Sequence, residues 1–114
     1  MLHVVEGSKY EAETVSIILS FAEDLPAGDS ILGTPTITVS LLTGTDTNPS
    51  NMLYGVVSIH NGTDVEQRFR LGIPGNIYYI LYQVVTTNGL RFEKDCYLAI
   101  IPVEGNAVPL WLPL

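Results

Sequence analysis

Few residues in this chain have the types and spacing that chemistry requires. The two histidines, His3 and His60, lie far apart. A zinc site needs several Cys, His or carboxylate ligands around one point, and neither histidine has another ligand at such spacing. A serine or cysteine nucleophile would have to recruit one of these two as its base, and no Gly-x-Ser-x-Gly elbow is present. The only cysteine is Cys96, so no internal disulfide forms. It alternates with Leu90, Phe92, Lys94, Leu98 and Ile100, a pattern that reads as a buried thiol acting as a small hydrophobe. A reactive thiolate would need a basic neighbour and an open site.

The acids are the remaining candidates. Glu23 and Asp24 adjoin in a turn, and Glu93 and Asp95 share one face of a strand. Paired carboxylates can hydrolyse glycosides, but these positions read as solvated charge. Asp46, in Thr43–Asn51, is a single carboxylate where calcium needs many oxygens. Asn61-Gly62-Thr63 matches a glycosylation sequon and, without a signal peptide, reads as a turn. No glycine-rich loop precedes a helix, so no phosphate cradle is expected. The expectation is a non-enzymatic protein without cofactor or metal.

The elements that carry these residues read as strands. The clearest signal is Asn88-Gly89 between two β-rich runs, which predicts a type I′ hairpin with both turn residues at positive φ. Alternation places a first strand over Thr14–Phe21, with Val15, Ile17, Leu19 and Phe21 inward. A second covers Thr34–Leu42, with Ile37, Val39 and Leu41 inward. A third is expected near Met52–His60 and a fourth over Val65–Leu71. The fifth, Ile77–Thr87, is apolar on both faces, so it is either a covered central strand or one that reserves a face for a partner. The sixth is Leu90–Ile101. The one helix-compatible window, Ser8–Glu13, is too short to hold.

At 114 residues the chain is one domain. Residues 1–13 read as an N-terminal arm, 14–102 as the sandwich and 103–114 as an apolar C-terminal arm. The fold class is all-β: an immunoglobulin-like antiparallel sandwich of about seven strands, with a jelly roll or small barrel as alternatives. The net charge of −7, with five basic residues in all, argues against nucleic acid as a partner. No run approaches the ~18 apolar residues of a membrane span, and the N-terminus lacks the pattern of a signal peptide. Charged residues are only 15% and hydrophobic ones 46%, a balance that suits either a surface covered by partners or simply the Thr, Val and Ile richness of an all-β protein. The C-terminal arm holds Val108, Leu110, Trp111, Leu112 and Leu114. It either folds back on its own domain or docks into a neighbour as a tryptophan anchor. Tyr78 and Tyr82 complete the candidate interface residues.

Read in order, these elements resemble a known group. Leu25-Pro26-Ala27-Gly28-Asp29-Ser30-Ile31 leads into the Thr-rich strand Thr34–Ser40. Gly72-Ile73-Pro74-Gly75-Asn76-Ile77-Tyr78-Tyr79 opens the next long strand. Val85-Thr86-Thr87-Asn88-Gly89 turns into a strand that closes at Tyr97-Leu98-Ala99-Ile100-Ile101. This order resembles the small immunoglobulin-like virion proteins of tailed bacteriophages, of the head-decoration and fiber–tail-adaptor type, over about residues 14–101. The central region Thr43–Asp64 is longer than that pattern, and the Trp111 tail has no counterpart in it. The resemblance implies a structural component made in the host cytoplasm and located in the virion. It would bind capsid or tail proteins and, as a homo-oligomer, copies of itself. A carbohydrate- or cell-surface-binding sandwich is the alternative, with Tyr78, Tyr79 and Tyr82 as its aromatic row.

Overall fold

The computed structural model describes residues 4–102, with side chains described from residue 7. Val4–Tyr10 (β1), Val15–Ser20 (β2), Ile31–Thr43 (β3), Leu53–His60 (β4), Asp64–Phe69 (β5), Ile77–Thr86 (β6) and Arg91–Ile101 (β7) form two sheets. The order is β1-β7-β6-β3 in one and β2-β5-β4 in the other. If β2 to β7 are taken as strands B to G, the sheets are C-F-G and B-E-D, the immunoglobulin arrangement. A 3-10 turn, Pro49–Met52, is the only helical element among the described residues.

The arm expected over residues 1–13 is therefore partly strand. β1 runs parallel to β7, from Val4 opposite Asp95 to Tyr10 opposite Ile101. The helix-compatible window divides between β1 and the turn after it, where the Glu13 N–H donates to the Tyr10 carbonyl. Lys9 anchors this corner with only 1% of its surface exposed. Its Nζ donates to the carbonyls of Tyr10, Glu11 and Leu71, at 2.6, 3.1 and 2.6 Å. Burial pulls its pKa below the usual lysine range.

The core lies between the sheets. β2 contributes Leu19, β5 Val65 and Phe69, β6 Tyr78, Ile80, Tyr82 and Val84, and β7 Cys96, Leu98 and Ile100. β6 is the central strand: β7 flanks it on one side and β3 on the other. Its alternation sends Tyr78, Ile80, Tyr82 and Val84 inward and Ile77, Tyr79, Leu81 and Val85 outward. The second strand is longer than expected, starting at Ile31. Gly33, at φ 72°, and Pro35 interrupt its pairing between Leu32 and Thr36, and that bulge hid its first three residues.

The two Asn-Gly turns differ in type. At Asn61-Gly62 both residues have positive φ (56° and 72°), and the Thr63 N–H donates to the His60 carbonyl. The type I′ turn is therefore here, between β4 and β5. At Asn88-Gly89 only Gly89 is left-handed, at φ 81°, and its N–H donates to the Thr86 carbonyl. That is a three-residue loop closed by an αL glycine, not the expected type I′ pair.

Each end of the sandwich is tied by a carboxylate. At one end buried Asp29 accepts from the Thr87 hydroxyl (2.6 Å) and from the N–H groups of Ser30 (2.9 Å) and Asn88 (3.2 Å), joining the β2–β3 corner to the β6–β7 hairpin. At the other the Tyr78 hydroxyl accepts from the Ile73 N–H (2.9 Å) and donates to Asp46 Oδ2 (2.7 Å). A Tyr at the start of the F strand bonded to backbone upstream is the tyrosine corner of immunoglobulin-like sandwiches. Asn76 completes this end, its amide oxygen accepting from the Thr45 and Asp46 N–H groups at 3.2 and 3.1 Å. Gly44 must stay glycine, because a Cβ there would lie 2.2 Å from the Asn76 side chain.

Tyr78→Phe leaves the Ile73 N–H and Asp46 without their shared partner. The expected loss, from urea unfolding, is about 1–3 kcal/mol, and a variant as stable as the wild type would contradict this role. Burial alone would raise Asp29, but its hydrogen bonds, led by Thr87, hold it below the usual carboxylate range. Asp64 and Glu66 are depressed as well, chiefly by the hydroxyls of Ser20 and Ser16. Groups with depressed folded-state pKa values stabilise the fold above their unfolded values, about 4, and lose that contribution as pH falls through the folded values. Stability should therefore hold from pH 7 to about 5 and fall below about pH 4. Asp29→Asn should be less stable at pH 7 and lose less on acidification; parallel curves for the two proteins would argue against this assignment.

Candidate interaction surface

Several of the candidate polar side chains among the described residues are tied into the fold. His60 Nε2 lies 2.6 Å from Glu66 Oε1 and 3.3 Å from Ser58 Oγ, so both partners crowd the same ring nitrogen. A relay needs the acid on one nitrogen and the nucleophile on the other. Ser16 donates to the other oxygen of Glu66, which makes the set a cross-strand clasp. Asp46 spends both oxygens on structure, Oδ2 on Tyr78 and Oδ1 on the Asn48 N–H at 2.8 Å. Asp24 lies 3.3 Å from Lys94 Nζ. Among the described residues no three His, Cys, Asp or Glu side chains gather as a metal site. His3 lies outside the described residues.

Asp95 departs from its expected role. In place of the solvated outer charge its spacing predicts, it is 2% exposed. Its Oδ2 accepts from the Tyr79 hydroxyl at 2.7 Å, and that bond, followed by burial, pushes Tyr79 up to about 12. Tyr79 in turn packs against Tyr97 across the strands, with ring centroids 5.6 Å apart. Asp95 also adds to the effect of burial on adjacent Cys96, whose thiol rises to about 12.

The candidate interface residues fare unevenly. Tyr78 and Tyr82 have no exposed surface. Both face the core, and the Tyr82 hydroxyl donates to the Ile17 carbonyl at 2.8 Å. They pack and tie the sandwich and are not open to a partner. Val108, Leu110, Trp111, Leu112 and Leu114 lie outside the described residues.

The surface that presents anchors is one that sequence reasoning missed. β4 is an edge strand among the described residues. Its pairing with β5 slips between Tyr54, opposite Arg68, and Ser58, opposite Glu66. Gly55, Val56 and Val57 therefore all face the single residue Gln67. Gly55, at φ 76°, absorbs the bend. Gln67 makes the bulge tolerable, since its buried side chain donates to the carbonyls of Tyr54 (3.1 Å), Gly55 (3.4 Å) and Arg68 (3.0 Å). The outcome is Val56, 86% exposed at the crest. Beside it Tyr54 carries the Arg70 guanidinium 4.3 Å from its ring centroid and that of Arg68 at 5.8 Å. Neither arginine has an ion-pair partner among the described residues. A glycine inside a strand pattern was the available signal of a bulge.

No family model matches the chain, and no curated protein matches it in sequence.

Cys96 should resist thiol reagents at pH 8 in the folded protein and react at once in denaturant, because both burial and a thiol value near 12 suppress the thiolate. Rapid stoichiometric labelling of native protein would contradict this.

Proposed function

We propose that this chain is a non-enzymatic structural component of a phage virion, binding capsid or tail proteins as a decoration or adaptor protein. The observation that carries the reading is the bulged β4 edge, where Val56 and Tyr54 project beside Arg68 and Arg70. Tyrosine and arginine are the residue types that dominate binding energy at protein interfaces. A projecting valine beside two guanidinium groups without an ion-pair partner among the described residues fits a partner with an apolar pocket bordered by acidic groups. The order of strands and turns, which resembles the small immunoglobulin-like phage proteins, supports the same reading. The carbohydrate-binding alternative is less favoured, because two of its three tyrosines, Tyr78 and Tyr82, are core residues.

The test is composition of purified particles from a phage that encodes this chain. The protein should copurify in fixed ratio to a capsid or tail protein. The triple variant Val56→Asp, Arg68→Glu, Arg70→Glu should fold and yet bind those particles at least ~30-fold more weakly, as hot-spot losses of ~2 kcal/mol or more imply. A chain found free in lysate and missing from washed particles would overturn the proposal.

A further inference from the structure

Leu71 has a backbone that leucine rarely adopts. Its φ is 64°, in the left-handed region that a bulky residue occupies only when its surroundings hold it there. The holder is buried Lys9, whose Nζ donates to the Leu71 carbonyl at 2.6 Å and to the carbonyls of Tyr10 and Glu11. Gly72 fixes the other side, packed so closely on Ile100 that a Cβ would lie 2.7 Å from it. This strain does not serve the core, because Leu71 is 49% exposed. Tyr10 and Ile73, also exposed, share this end of the sandwich. An apolar residue held in water at the expense of a strained backbone marks a contact residue on display.

The charges around Leu71 identify what it meets. β5 lies between β2 and β4 in its sheet. Arg68 and Arg70, at its end, both hold their guanidinium groups over the Tyr54 ring, on the β4 side. On the β2 side stand the exposed Glu11 and Glu13. β2 starts at Val15 opposite Phe69, two residues after Glu13, and the Glu11 carbonyl shares Lys9 Nζ with that of Leu71. None of these four charges has an ion-pair partner among the described residues. The end of β5 is therefore positive on one side, negative on the other and apolar between. A half-turn about an axis beside Leu71 lays such a surface on itself with opposite signs facing, which is what an isologous contact requires. Copies of a chain with net charge −7 otherwise repel one another, so their pairing needs a contact matched in this way.

We propose that two copies of this chain pair through the end of β5. Leu71 of each copy packs at the two-fold axis, with Tyr10 and Ile73 around it. Arg68 and Arg70 of one copy meet Glu11 and Glu13 of the other. The inference rests on the reading of the two arginines as interface residues and names a second copy as their partner. It leaves the Val56 crest open to a capsid or tail protein.

Sedimentation equilibrium of the full-length chain tests this without any phage particle. The mass should be that of a dimer in the micromolar range. One variant carries Glu11→Lys and Glu13→Lys, the other Arg68→Glu and Arg70→Glu. Each sets like charges face to face and should weaken its own dimer at least ~30-fold, the size of a hot-spot loss. Mixed in equal amounts, the two should recover dimer as a heterodimer, because both of its charge contacts are again opposite in sign. Leu71→Asn puts a residue that tolerates positive φ at this position. It should also dissociate the dimer, while the monomer unfolds at no lower urea concentration than the wild-type monomer. A monomeric wild type, a mixture that stays monomeric, masses above the dimer, or a Leu71→Asn protein that still pairs as wild type would each overturn the pairing. The virion reading fails separately: a monomer that binds particles sinks only the pairing, and a dimer missing from washed particles sinks only that reading.

Discussion

The Tyr78 hydroxyl joins three segments that no strand pairing connects: β6, the β5–β6 loop through Ile73, and the β3–β4 connection through Asp46. The sandwich has no disulfide, and the described residues contain no α-helix. Its loops must therefore be held by side chains that answer buried backbone groups. Tyr78 does this at one end and Asp29 at the other, while Lys9 answers the carbonyls of Tyr10 and Glu11 after β1 and of Leu71 after β5. Because Tyr78 is also a core residue, packing and loop order depend on the same ring.

Gln67 applies the same logic to an edge. A three-residue bulge opposite one residue leaves carbonyls that the ladder cannot satisfy. Its amide takes those of Tyr54 and Gly55, so β4 can bend sharply without burying an unpaired acceptor. The bend is what puts Val56 into solvent beside the stacked arginines. It also disrupts the regular edge that would invite unspecific strand pairing.

Strand positions were legible because alternation is a local property. Val15, Ile17, Leu19 and Phe21, and the two apolar faces of β6, occupy the faces their spacing implies. What was not legible depends on partners distant in sequence. Nothing in Val4–Tyr10 announces a strand whose mate lies some ninety residues later. The aromatic Tyr78 and Tyr82 read as contact or as core, core being the simpler, and their full burial decides it. Asp95 alternates outward with Arg91 and Glu93, and only Tyr79 across the strands distinguishes it from a solvated charge. The choice between the two Asn-Gly turns also falls outside local sequence: a I′ pair suits the β4–β5 loop, while Thr86 and Leu90 impose a wider loop on β6 and β7.

The pairing of the first strand with the last has a consequence for how the protein is made. β1 emerges from the ribosome before the other six strands and can enter the sheet only once β7 has been synthesised. At roughly 5–20 residues per second, the N-terminal segment waits several seconds without its template. During that interval β6 can pair only with β3, and the edge awaiting β7 stays open. Closure of the larger sheet is therefore a late event, and until β7 is made the nascent sandwich carries an open edge on its central strand.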